Sequence, residues 1–175
     1  MYLLIPLVML ITGALAFGAI KGYQYITKPE KAHYHAGFQV YVDGKLQDFS
    51  GIEYMNTVPC TDRHELGEST SPEEIQKDKA HLHDEIGDVV HAHVTGGTWG
   101  DLFTNMKYDF PSGKEVQGYI DGKPIDDIRN YPIKPYDSVI ILVGSNKPIE
   151  TYQPNAVTKE TIIEAENMSE TCGSE

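Results

Sequence analysis

Basic residues are few in this chain of 175 residues: 14 lysines and arginines stand against 26 acidic residues, a formal charge of −12. No lysine- or arginine-rich patch occurs, which removes the electrostatic footing that nucleic-acid binding requires. The acidic excess favours solubility and raises the local concentration of cations. There is no Gly-x-Ser-x-Gly elbow, no phosphate loop and no dinucleotide fingerprint. The Gly96-Gly97-Thr98-Trp99-Gly100 stretch is glycine-rich but too short and misplaced for either nucleotide motif. Sequence alone therefore assigns no catalytic and no organic cofactor-binding residue. Only two cysteines are present, Cys60 and Cys172, and neither neighbours a histidine doublet, which argues against a mixed sulfur–nitrogen metal site. A disulfide between them would tie the C-terminal tail to an early loop and contribute about 4–5 kcal/mol in the chain-entropy model. Two free thiols is the alternative, and an oxidising compartment favours the bond.

Charge is also missing from Tyr2 to Ile20. At 1.5 Å per residue that run is long enough to span, or nearly span, a hydrocarbon core of about 30 Å, so it reads as a single N-terminal transmembrane helix. A cleaved signal peptide with Ala14-Leu15-Ala16 at its cleavage site is the competing reading, weakened by the absent basic n-region. Lys21, Lys28 and Lys31 follow the run, which by the positive-inside rule would hold the rest in the cytoplasm. Histidine-rich chemistry, the cysteine pair and the sequon Asn167-Met168-Ser169 point the other way. The reading taken is a single-pass protein of the cell membrane with an extracytoplasmic domain.

What the chain has in unusual measure is paired histidine. Six of its seven histidines lie in three His-x-His doublets: His33 and His35, His81 and His83, His91 and His93. Side chains of a strand repeat every second residue, so each doublet puts two imidazoles on one face, roughly 7 Å apart along the backbone. Neutral imidazole is a preferred ligand of zinc and copper. One isolated doublet is ordinary surface polarity; three in a chain with a single further histidine, His64, point to a metal site holding a copper or zinc ion. His64 sits in a polar stretch and reads as a surface residue.

The segment from His81 to His93 reads as a hairpin turning near Ile86-Gly87. A three-residue loop, Glu85 to Gly87 or Ile86 to Asp88, would bring all four odd-numbered histidines to one face, whereas a two- or four-residue loop would split them. Four nitrogen ligands would make a closed site of structural, storage or transfer character, while three would leave one position open to water and make catalysis conceivable. Asp84, Glu85 and Asp88 are candidates to orient an imidazole N–H.

Elsewhere, Asp43-Gly44 and Asp121-Gly122 mark hairpin turns between alternating strands. Ser71-Pro72-Glu73-Glu74 reads as a helix start. Thr98 and Asp101 give a weakened capping box for a short helix from Trp99 to Met106. Asp137 to Gly144 is an apolar, central strand. Thr158 to Met168 reads as an amphipathic helix with a narrow apolar edge that docks weakly and relies on Cys172. The domain plan is an anchor at 1–26, a linker at 27–32, a histidine-rich α+β domain at 33–146, and a linker with C-terminal helix and tail at 147–175.

The order of hairpin, helix, strand pair and final apolar strand resembles a β-grasp, or ubiquitin-like, domain. The resemblance is carried by Gly118 to Ile125 and Tyr131 to Gly144, and it implies an α+β, β-grasp-like mixed sheet with one short helix, preceded by the transmembrane helix. The layout also resembles a family of small, membrane-anchored, uncharacterised archaeal and bacterial proteins. The matching residues are His33, His35, Tyr41 to Lys45, Leu82 to Asp84 and Val90 to His93. That resemblance implies the anchored design and no reaction. Cupins, multicopper oxidases and carbonic anhydrases share isolated histidine pairs only. The leading expectation is an anchored metal-binding protein that sequesters, senses or hands on copper or zinc. The alternatives are a metal-free accessory subunit of a membrane protein complex and a small metalloenzyme.

Overall fold

The structure is a computed structural model that describes residues 12–13, 16–18, 30–56 and 71–169. The chain divides into two units, Met1–Glu30 and Lys31–Glu175. Among the described residues no helix is long and apolar enough to cross a membrane. This overturns the expected transmembrane helix at 1–26, and the single-pass membrane location read from it is corrected with it. A span needs about 20 residues of continuous helix, and hydropathy counts apolar residues without testing that continuity. The longest α-helix described has 11 residues and lies near the C-terminus. Cys60, Cys172 and His64 lie outside the described residues, so the disulfide expectation is not addressed by them.

The second unit is α+β, built on a curled mixed sheet. Its strands are β1 (Lys31–Val42), β2 (Lys45–Leu46), β3 (Val89–Val94), β4 (Val116–Ile120), β5 (Lys123–Ile125) and β6 (Ser138–Val143). The order is β2-β1-β6-β4-β5, with β3 pairing β1 off that path. The central pair, β1 and β6, is parallel, with Phe38 beside Val139 and Val40 beside Ile141; the other strand pairs are antiparallel. Both Asp-Gly turns form as the sequence predicts. Asp43 and Gly44 have φ of 49° and 80°, Asp121 and Gly122 have 51° and 74°, the left-handed pair that matches the twist of the flanking strands.

Among the described residues three α-helices accompany the sheet, α1 (Pro72–Lys79), α2 (Trp99–Asn105) and α3 (Lys159–Ser169), one at each place where the sequence reads a helix, whereas the β-grasp-like plan has one. Both α1 and α2 open with a full capping box, Ser71 with Glu74 and Thr98 with Asp101. In each the hydroxyl accepts the N3 amide while the N3 carboxylate accepts the cap amide. The shorter aspartate at N3 reaches as well as glutamate does. Asp101 also accepts from Gln76 Nε2 at 2.9 Å and Lys79 Nζ at 3.0 Å, clamping α1 to α2. Asp101→Ala removes the cap and both clamps together. The expected cost is about 2–3 kcal/mol from one cap and two side-chain bonds, read as a lower urea midpoint with an unchanged slope.

One face of the sheet carries the main core. Even-numbered residues of β1 (Ala36, Phe38, Val40) and odd-numbered ones of β6 (Val139, Ile141, Val143) pack with Trp99, Leu102 and Phe103 of α2. The opposite face is divided. At one end Tyr41, Ile140 and Leu142 lie under Ile149 and Tyr152. Next to this, Val89 packs with Val157, Ile162 and Ala165. Ile162 and Ala165 belong to α3 and are buried, so this helix docks on the sheet through its own apolar edge. The rest of that face carries the histidines.

Candidate metal centre

Period-two alternation puts β1 residues Ala36, Phe38 and Val40 in the main core, so the odd positions His33 and His35 fall on the opposite face. The same holds for β3, where Val90 enters the main core and His91 and His93 turn away from it. Register then makes neighbours of them. His35 is directly opposite His91 across the β1–β3 pair, and His91 is opposite His81 across an isolated antiparallel bridge. The amide of His81 donates to the carbonyl of His91 and the amide of His91 donates back, both at 2.9 Å. Pairing 81 with 91 has the parity of the three-residue loop from Glu85 to Gly87. The turn is looser than that loop, because the bridge to β3 is at His81, Leu82 bridges Met55 instead, and both Asp84 and Glu85 take positive φ (57° and 58°). The parity survives, and all four odd-numbered histidines share a face.

The three rows converge on His91. Its ring centroid lies 4.4 Å from those of His35 and His93, 4.5 Å from His83, 4.6 Å from His33 and 5.1 Å from His81. A register shift in β1 between Lys31 and Tyr34 accompanies the stacking of His33 on His91. Two groups of three imidazoles, His33-His35-His91 and His81-His83-His91, each have one ligand atom per residue within 4.8 Å of the others and could hold a metal ion. His35, His81 and His91 are buried, whereas His33 is exposed and opens the cluster to solvent. The structure thus brings together all six histidines of the doublets, with His93 beside the two groups rather than in them.

The outer contacts fix which nitrogen faces inward. His81 Nδ1 is 2.9 Å from the carbonyl oxygen of Lys77 at the end of α1. A carbonyl only accepts, so the proton is on Nδ1 and the lone pair on Nε2. His83 Nδ1 is 2.6 Å from Asp84 Oδ2, which likewise holds the proton on Nδ1. His83 Nε2, left with its lone pair, is in direct contact with His91 Nδ1. The Nε2 of His91 is buried with no hydrogen-bond partner among the described residues. On the other side of the cluster, Glu166 of α3 places Oε1 4.0 Å from His35 Nδ1, and its Oε2 accepts from the Tyr136 hydroxyl at 2.9 Å.

Of the three candidate orienting carboxylates, Asp84 is in place against a ring. Glu85 is exposed in the turn, and Asp88 contributes its backbone carbonyl to Phe38 N instead. Glu166 and Tyr136 escaped sequence reasoning, because neither lies near a histidine in the chain. The only local signal was the amphipathic pattern of α3, and that says nothing of which polar residue faces a distant strand.

Burial, with the nearby imidazoles of His33, His83 and His93 adding to it, holds the His35 pKa down to about 4. His91 is lowered too, first by burial and then by His81, His93, His35 and His83. An unfolded histidine titrates near 6.5, so between pH 6.5 and 4 the unfolded chain binds a proton that folded His35 refuses. Stability of the metal-free protein is therefore fully present above pH 6.5 and falls as pH drops through that window. His35 alone contributes a loss on the order of 2–3 kcal/mol. Urea midpoints measured at half-unit pH steps check this: wild type is expected to decline from pH 6.5 to 4.5 and His35→Gln to decline less. A flat wild-type profile contradicts it.

No protein-family model, curated protein or solved structure matches the chain. The reading of the site rests on its own geometry.

Proposed function

We propose that this protein binds a transition-metal ion, zinc or copper, in its histidine cluster, and that it holds or hands on the ion. The observation that carries this reading is the convergence of three separate doublets on one buried imidazole, His91, in two ligand groups. Both groups are all nitrogen. Magnesium and calcium favour oxygen donors, whereas imidazole suits zinc and copper. The surroundings match what a metal site needs beyond its ligands. Lys77 O and Asp84 sit on the outward nitrogens of His81 and His83, the partners that set tautomer and raise ligand basicity, and Glu166 places a carboxylate 4.0 Å from His35 Nδ1. A holding role fits better than a catalytic one, since Asp84 is engaged by His83 and Glu166 by Tyr136. Neither carboxylate is placed as a general base within the cluster.

The test uses the whole purified chain, stripped with a chelator, loaded separately with zinc and copper, dialysed, and analysed for metal by mass spectrometry. At least one ion per chain retained against dialysis is expected, with a rise in melting temperature. A chain that retains neither ion and melts unchanged overturns the proposal.

A further inference from the structure

We infer that the cluster holds a pair of ions rather than one, with the His91 imidazole bridging them. This rests on the metal-binding reading above and adds to it the stoichiometry and the connecting ligand. Both candidate groups contain His91 and share no other residue. An imidazole has two ring nitrogens pointing in different directions, so one ring can serve two ions only by giving a nitrogen to each.

The two nitrogens of His91 differ in their surroundings. Nδ1 lies against His83 Nε2, the nitrogen that the Asp84 contact leaves with its lone pair. That is the side of the His81–His83 group. Nε2 is buried, and nothing among the described residues hydrogen-bonds to it. Leaving a buried nitrogen without a partner is unfavourable, and a metal ion would offset that. His91 is only 1% exposed, so water has no ready access to supply the missing partner. His33 and His35, on the neighbouring strand, complete the second group.

The proton count follows from the tautomers. Without metal, His91 carries its single N–H proton on Nδ1 and donates it to His83 Nε2. The first ion, coordinated by Nε2 of His91 with His33 and His35, displaces no proton from that ring. The second ion takes Nδ1 of His91 with His81 and His83. It displaces the Nδ1 proton to solvent and leaves His91 as a bridging imidazolate. Metal binding of this kind releases protons and weakens as pH falls. Loading should therefore be stepwise, with proton release confined to the second ion.

Copper(II) is the probe, because bridged copper centres couple magnetically and lose paramagnetic resonance intensity. The stripped full-length chain is titrated with copper(II) and followed by metal analysis and by the double-integrated resonance signal. The expected result is a first equivalent with full signal, then a second equivalent on which the total signal falls. The His33→Ala/His35→Ala double variant should stop after one ion with its signal intact. Saturation of wild type at a single ion overturns the inference while leaving the metal-binding reading standing. So does uptake of a second ion with the full, uncoupled signal. Failure to bind any copper or zinc overturns both. The decisive curve is that of wild type, which needs no folded double variant.

Discussion

His91→Ala is expected to abolish metal retention, whereas loss of any other single histidine should weaken it. The asymmetry comes from geometry: His91 belongs to both candidate groups, and every other histidine belongs to one at most. Removing an outer partner such as Asp84 by Asp84→Asn should cost about 10–100-fold in affinity. His91→Ala should exceed that. The fold should tolerate the change. The variant loses packing against five imidazoles, but it also removes the buried Nε2 that lacks a hydrogen bond, and the two effects oppose each other. Thermal melting separates the contributions. A ligand present at 100 times its dissociation constant stabilises by about 2.7 kcal/mol, so wild type should melt higher with added zinc or copper while His91→Ala melts at the same temperature with or without it. A variant that still gains stability from metal would show that the ion sits elsewhere.

The largest loss of stability is expected from Trp99→Ala. Trp99 opens α2, is fully buried, and sets its ring 5.8 Å from that of Phe38 at an interplanar angle of 46°. Removing a buried aromatic of this size costs about 3–5 kcal/mol, part of it for the cavity left behind. That is a large share of the 5–15 kcal/mol that typically holds a domain together. Urea denaturation followed by circular dichroism would measure it. A loss below about 1 kcal/mol would mean that the site collapses around the missing ring, contrary to the usual behaviour of close-packed interiors. The variant also bears on the site, because Phe38 shares β1 with His33 and His35. Loosening the core face of that strand should reduce metal affinity through the folding equilibrium, with no ligand altered.

Sequence reading succeeded where the physics is local. Asp-Gly turns, serine and threonine caps and the same-face rule for His-x-His depend on a few adjacent residues, and all are found in the structure. Register parity at 81–93 was also readable, since only odd-loop pairings keep His81, His83, His91 and His93 together. Failures arose where distant segments decide. Nothing around Glu166 announces that α3 will carry it to His35, and the choice of His91 as hub depends on β3 lying between β1 and the 81–82 segment. The transmembrane expectation went wrong for another reason. Hydropathy reads the composition of a run, and among the described residues no helix is long and apolar enough to cross a membrane.

The sheet's central pairing also bears on the order in which the molecule can be assembled. β1 and β6 lie parallel at the middle of the sheet, yet one is near the start of the second unit and the other well towards its end. Pairing of this kind has to wait for a long stretch of chain and is intrinsically slow. The six clustered histidines all precede that closing strand, on β1, the 81–83 segment and β3, and the contacts among those three are antiparallel. During synthesis from the N-terminus, the imidazoles have emerged before β6 exists to complete the core. A metal ion at that stage would meet a ligand-rich chain still lacking Glu166 and α3, so newly made protein would be most exposed to miscoordination before β6 is in place.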